Sequence, residues 1–177
     1  MKKLLILFFL SIYIFGSANA DGADDWQDLD LNINKLNELN QCKSCNLRST
    51  NFNGLNFTGA NLTGANFIQA NLSNTNFYGA NFEGSSLYGS NFEGANLENV
   101  LFFAASLYGV ILKGAWLMGA DFRQADLSKA DLTLANLTGA NLTNANLTGV
   151  NLEGAILEGA FFCNTKTPWG IDNSSCQ

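Results

Sequence analysis

The chain is 177 residues long, 47% hydrophobic and 14% charged, with a formal charge of −6, four cysteines and no histidine. The acidic balance argues against a nucleic-acid partner, whose phosphates call for clustered Lys and Arg. The missing histidine excludes a His-based triad, a His general base and a His metal ligand.

Residues 1–20 read as a targeting segment. Lys2 and Lys3 open it, and an apolar run of 12 residues extends from Leu4 to Phe15. That run is too short to span a bilayer, which takes about 20 residues. Ala18-Asn19-Ala20 is a small-x-small cleavage site, so the mature chain is expected to begin at Asp21. The alternative is a retained N-terminal anchor helix. No Cys directly follows the apolar run, which argues against a lipoprotein. The expectation is export to the periplasm or beyond the cell, with no membrane association of the mature form. Cleavage would remove Lys2 and Lys3 and take the charge from −6 to −8. Four cysteines in an exported chain suggest two disulfides.

Residues 21–45 form the next unit. Asp21 to Asp30 is acidic and reads as a mobile, solvated lead. Trp26, Leu29, Ile33, Leu36 and Leu39/Asn40 keep roughly helical spacing, so a short amphipathic helix is expected to lid the repeat region that begins at residue 46.

From Leu47 to Phe162 every fifth residue is Leu or Phe without a break in phase. This makes 24 units, 15 centred on Leu and 9 on Phe. Two residues before each centre sits a small residue, Ala in 15 units. Asn or Asp usually precedes the centre, and the unit ends in Gly (14 units) or Asn (4 units). In extended chain the small residue and the centre point the same way. The last two residues must then turn a corner before the next small residue points inward. Gly or Asn tolerates the positive φ of a type II turn. Each unit is one short side plus one corner, and the repeat winds a coil with Leu, Phe and Ala inside. A helical apolar stripe would smear around the surface at this period, and a flat strand would flip faces. The asparagines before each centre, such as Asn51-Asn71-Asn91 and Asn136-Asn141-Asn146, are expected to bond between coils.

Segments such as Ala60-Asn61-Leu62-Thr63-Gly64 and Ala140-Asn141-Leu142-Thr143-Asn144 resemble the pentapeptide-repeat family, with its Ala-Asn/Asp-Leu-x-x consensus. The resemblance covers residues 46–163. It implies an all-β fold: a right-handed, four-sided (quadrilateral) parallel β-helix, here with a short N-terminal helical cap. Four sides come from the resemblance, not from the spacing. At four units per coil, residues 20 apart stack, and Phe82, Phe102 and Phe122 become an internal column of rings flanked by Leu62 and Leu142.

Cys42-Lys43-Ser44-Cys45 would need a thioredoxin-like βαβ context for redox work, or further ligands for zinc, and the chain offers neither. By phase Cys42 takes a centre position and Cys45 a small position, both inward, which favours a structural role. Cys163 comes just after the last centre and points outward. The tail, 164–177, can fold back and close on it through Cys176. Both cysteine arrangements also look like the ends of exported members of the family.

No catalytic constellation, cofactor site or metal site is found. Asp121, Asp126 and Asp131 are five apart, fall on three different sides, and replace Asn in the repeat. The glycines recur singly and form no phosphate loop. Departures from consensus are more informative. Leu101, Phe103, Tyr108, Ile111, Trp116 and Met118 put apolar groups on outer positions of one coil, and Ile68-Tyr88-Tyr108 forms a column meeting that belt. These eight residues are the candidate surface for an unknown protein partner or for self-association. The plainer reading is that coil sides are flat and Tyr packs well on a sheet face. Ile156 and Phe161 form a second apolar pair, which Trp169 of the tail is expected to cover.

Together these features read as a non-enzymatic exported scaffold or protein-interaction module using the outer faces of a rigid rod. The alternative is an acidic DNA mimic of the gyrase-protecting type, which the targeting segment opposes. Carbohydrate adhesion through Tyr and Trp116 lacks a partnering carboxylate.

Overall fold

The structure is a computed structural model and describes residues 23–176; the targeting segment read over 1–20 lies outside the described residues. All 22 isolated parallel bridges join residues 20 apart, from Gln41↔Asn61 to Asn146↔Lys166. Four five-residue units fill that period, so the coil has four sides. Their centres run in columns: Leu47 to Leu147, Phe52 to Leu152, Phe57 to Leu157, and Leu62 to Phe162. Each side contributes a single bridge rather than a continuous strand.

The corners explain the repeat. In all 24 units the last residue has a positive φ, at Gly in 14 and at other residues in 10. A bond from the N–H three residues after the centre closes the turn, as from Ala60 to the Phe57 carbonyl at 3.0 Å. A positive φ at the third residue of such a turn marks type II. Between coils the bonds have a fixed direction. Centre and corner N–H groups donate toward the C-terminal end, as Leu62 to Asn81 O (2.7 Å) and Gly64 to Glu83 O (2.8 Å). The N–H before the centre donates back, as Asn81 to Ala60 O at 2.8 Å.

The asparagines do something other than the expected ladder. The Asn81 side-chain oxygen accepts from the Glu83 N–H at 2.8 Å, and Asn91 and Asp131 do the same for Glu93 and Thr133, both at 2.9 Å. The side chain is short and lies beside its own turn, so it satisfies a local N–H as an Asx turn does. Cross-coil bonds from this position are few, among them Asn146 Nδ2 to Asp126 Oδ1 at 3.0 Å.

Inside, every centre from Leu47 to Leu147 is buried. The expected ring column is present: Phe82–Phe102 and Phe102–Phe122 are each 5.2 Å between centroids, with planes at 31° and 17°. Phe77, Phe82 and Phe92 meet edge to face across the shaft, a geometry that favours aromatic pairs beyond simple burial.

Helix α1, Ala23–Leu39, precedes the first coil. It extends into the acidic stretch expected to be a mobile lead. Ile33 and Leu36 are buried, whereas Leu39, assigned to the apolar face by spacing, is 65% exposed. Asn32 Nδ2 donates to Asn46 O at 3.3 Å and Asn40 Nδ2 to Thr58 O at 2.8 Å. The Cys42–Cys45 disulfide lies at this end with both residues buried. At the other end strands β1 (Thr165–Thr167) and β2 (Gly170–Asp172) form an antiparallel hairpin. Cys163–Cys176 closes the tail on itself, with the Cα atoms 4.8 Å apart.

Phe102 is fully buried and touches Phe82, Phe92 and Phe122. Phe102→Ala is expected to cost about 3–5 kcal/mol, as large-to-small core changes do. Phe102→Leu, which places the commoner centre residue there, should cost markedly less. Urea unfolding monitored by circular dichroism measures both; equal losses would mean the ring column is not a specific packing element.

Candidate functional site

Outer positions are the ones the coil leaves free. The Asn or Asp before the centre closes its own turn, so losing it removes a bond. In the coil spanning 101–120 that residue is Leu101, Ser106, Ile111 and Trp116 on the four sides in turn. Leu101, Ile111 and Trp116 are 41%, 39% and 56% exposed. None of the three side chains can accept the N–H two residues on.

The eight candidate residues share one region of the rod but not one face. Leu101 and Phe103 lie on the side of the Phe102 centre. Ile68, Tyr88 and Tyr108 occupy the next side, Ile111 the third, and Trp116 and Met118 the fourth. Residues five apart sit on successive sides, so neighbours in sequence encircle the rod. Within this belt the structure draws together three smaller groups.

On the first, Arg123 Cζ sits 5.7 Å from the Phe103 ring centroid. The guanidinium is held by Asp121, with Nε–Oδ1 at 2.8 Å and Nη2–Oδ2 at 2.6 Å. Partial burial pushes the Asp121 carboxyl up, but the hydrogen bonds and charge of Arg123 outweigh it, and its pKa falls below the ordinary carboxylate value. The ion pair thus roofs Phe103.

On the second, Tyr88 and Tyr108 stack at 5.4 Å with planes 6° apart. Lys129 Nζ lies 5.4 Å from the Tyr108 centroid, a cation–π contact. With neighbours on its faces, Tyr108 offers its edge outward. A sugar ring docks on an open aromatic face, so this stack is a poor carbohydrate platform.

The third group is not evident from sequence. Trp116, Met118, Leu134 and Asn136 line a shallow groove with Gly114 and Ala115. Leu134 is 62% exposed and occupies a corner, with φ +58°. A bulky residue in left-handed backbone is unfavourable, and an exposed one gains little from packing. The usable signal in sequence is Leu at a position otherwise given mostly to Gly or Asn.

Ile156 and Phe161 remain 48% and 53% exposed, and Trp169 is itself 62% exposed. The expectation that Trp169 covers them is therefore not met, because the β1–β2 hairpin lies over the Leu147 side, where Leu147 N–H bonds Lys166 O at 2.6 Å. Among the described residues no cluster of His, Cys, Asp or Glu suits a metal ion, and no helix is long and apolar enough to cross a membrane.

A protein-family model for pentapeptide repeats matches the chain in 8 copies, over residues 41–77, 65–102, 85–124, 115–154 and 145–166. Among solved structures, the chain is similar to Rfr23, a pentapeptide repeat protein from the cyanobacterium Cyanothece 51142. The two are 33% identical over 74% of this chain and 92% of that one, with a TM-score of 0.44. HetL, a pentapeptide repeat protein involved in heterocyst differentiation regulation from Nostoc sp. strain PCC 7120, is 20% identical over 72% and 91%, with a TM-score of 0.37. QnrB1, a plasmid-mediated fluoroquinolone resistance protein, is 17% identical over 68% and 81%, with a TM-score of 0.33. A comparison with curated proteins finds no match.

Leu134 separates folding from other demands on this groove. Leu134→Gly relieves the left-handed strain, worth about 1–2 kcal/mol, against a smaller entropic cost of glycine in the unfolded chain. The substitution is expected to leave stability unchanged or raise it by up to about 1 kcal/mol. A clear loss in thermal unfolding would show that Leu134 serves the fold.

Proposed function

Since the chain belongs to the pentapeptide-repeat family, whose members fold as right-handed four-sided β-helices, we propose that it is a non-enzymatic, exported scaffold that binds a protein through the sides of its rod. The observation carrying this reading is the coil of 101–120. There Leu101, Ile111 and Trp116, like Ile156 and Phe161 near the C-terminal end, stand where an Asn or Asp closes its own turn in most units, and they face water instead. Such a change gives up a hydrogen bond within the turn and leaves hydrocarbon partly exposed. It is the trade expected where a surface is kept for a partner.

Export is supported by Lys2-Lys3, the apolar run and the Ala18-Asn19-Ala20 site. The pairing of all four cysteines fits an oxidising compartment. The acidic DNA-mimic reading has less behind it. Asp121, Asp126 and Asp131 are spread over three sides, each oxygen accepting the N–H of its own turn. Asp121 is moreover neutralised by Arg123.

Two measurements test the proposal. Fractionation with N-terminal mass analysis is expected to find the protein outside the cytoplasm, beginning at Asp21; a cytoplasmic, uncleaved product removes the export claim. Leu101→Asn, Ile111→Asn and Trp116→Asn together restore the repeat. This triple variant is expected to melt at or above the unaltered protein and to lose partner capture from extracytoplasmic extract. Tyr108→Asp with Phe103→Asp should also lose it. Capture that survives both sets of changes overturns the side-face reading.

A further inference from the structure

Phe103, Tyr108 and Trp116 are the outward aromatic side chains of the coil of 101–120. Two of them carry a cation of this chain, Arg123 over Phe103 and Lys129 over Tyr108, each from the next coil. Trp116 has none over it among the described residues, although indole is the best cation–π acceptor of the aromatic side chains. Register explains the difference. One coil beyond Trp116 stands Asn136, and its side-chain oxygen is engaged by Thr138, whose N–H and hydroxyl donate to it at 3.0 and 2.6 Å. The whole side that runs from the Phe57 centre to the Leu157 centre lacks Lys and Arg, whereas the other three sides have Lys129, Lys113 and Arg123. That same side holds two carboxylates, Glu98 and Glu158, in one outer column with Met118. Neither belongs to an ion pair among the described residues, where the pairs are Lys113–Glu93 and Arg123–Asp121.

We propose that the groove beside Trp116 takes the side chain of an arginine carried by the partner protein. The inference rests on the side-face reading and adds what the partner must present there. Three features select arginine. A guanidinium is planar and weakly hydrated, so it stacks flat on an indole, which suits a shallow groove; the ammonium of lysine is a compact, strongly hydrated charge. The groove also has room and hydrocarbon for the stem of such a side chain. Met118 and Leu134 flank its floor at Gly114 and Ala115. A Cβ added to Gly114 would meet nothing within 4 Å, so the space above the floor is open. Leu134 leans toward the following coil, its Cδ2 only 2.7 Å from where a Cβ on Gly154 would lie. Methylenes can then lie along these walls while the charged head rests on the ring. Finally, the charge has the right sign. Glu98 stands one coil before Met118 and Glu158 two coils after it, and no basic residue of that side offsets them. Carboxylates of one sign along a groove draw in a cation. A neutral apolar segment or a sugar ring would use the hydrocarbon and leave both carboxylates unused.

The test titrates N-acetyl-arginine amide into the purified protein and follows the assigned Trp116 indole N–H resonance. A saturable shift is expected. The capped citrulline analogue keeps the shape without the charge and should bind roughly tenfold more weakly; capped lysine should fall between the two. Glu98→Gln with Glu158→Gln should weaken arginine and leave citrulline unchanged. No shift with arginine overturns the proposal. So does an equal response to citrulline or to methyl glucoside, tighter binding of lysine than of arginine, or an arginine affinity that ignores the two glutamine substitutions. The comparison of arginine with citrulline needs no variant, so it decides the matter even if a substitution unfolds the protein. Partner capture separates this proposal from the side-face reading beneath it. Capture that Trp116→Asn abolishes and excess capped arginine does not compete leaves the side-face reading standing and removes this one. If the unaltered protein captures nothing, the side-face reading fails and the titration still judges the groove.

Discussion

A left-handed backbone residue every fifth position is the constraint on which the rest depends. At such a corner the chain reverses its inward-outward phase, and an odd repeat becomes able to point the same pair of side chains inward on every side. Without it, a period of five would expose alternate centres. The corner also sets composition: Gly in 14 of 24 units, because a Cβ in that conformation costs about 1–2 kcal/mol. The strain is local and repeated, and it is offset by burying a Leu or Phe and usually an Ala per unit. Phe102 and its ring neighbours show the result, a shaft packed with side chains.

Filling the interior this way confines any biology to outer positions and ends. On the sides, the residue before the centre is held to Asn or Asp by the N–H of its own turn, and the corner by its φ. The residue after the centre is the least constrained, and the side groups assembled by the structure use it: Phe103, Tyr108 and Met118, with Arg123 one coil beyond Phe103. Where the constrained positions also depart, at Leu101, Ile111, Trp116 and Leu134, the departure works against the fold's own chemistry. That contrast says more than exposure alone, since exposed apolar residues are common on any protein surface.

The coil is legible in the sequence because its signal is positional. Centre, small residue and corner each carry a distinct physical demand, and their phase persists over 24 units. The number of sides is not legible, since five-residue units say how far one corner lies from the next and not how sharply each turns; the 20-residue bridges supply that. The asparagines mislead for a related reason. A ladder between coils and a bond within a turn ask for the same side chain at the same position, and only geometry separates them. Phase alone gives each side-face candidate its side of the rod, but the groups they form depend on side-chain reach, as with Arg123 over Phe103. The exposure of Ile156 and Phe161 depends on where the tail lies, which the repeat does not specify.

The ends are where a solenoid is weakest, because a terminal coil has a neighbour on one side only. Both disulfides sit there. Cys42–Cys45 spans a separation of 3 beneath α1, and Cys163–Cys176 spans 13 and pins the tail across the last coil. In the chain-entropy account a loop of about 15 residues contributes roughly 3 kcal/mol. That is enough to hold a short tail that buries little apolar surface of its own. Reduction would loosen the tail first, opening the Leu147 and Phe162 sides and leaving the whole last coil unpaired. The half-open end is thus a bounded one. The oxidised tail restricts the exposed edge to the Leu152 and Leu157 sides and the corner between them.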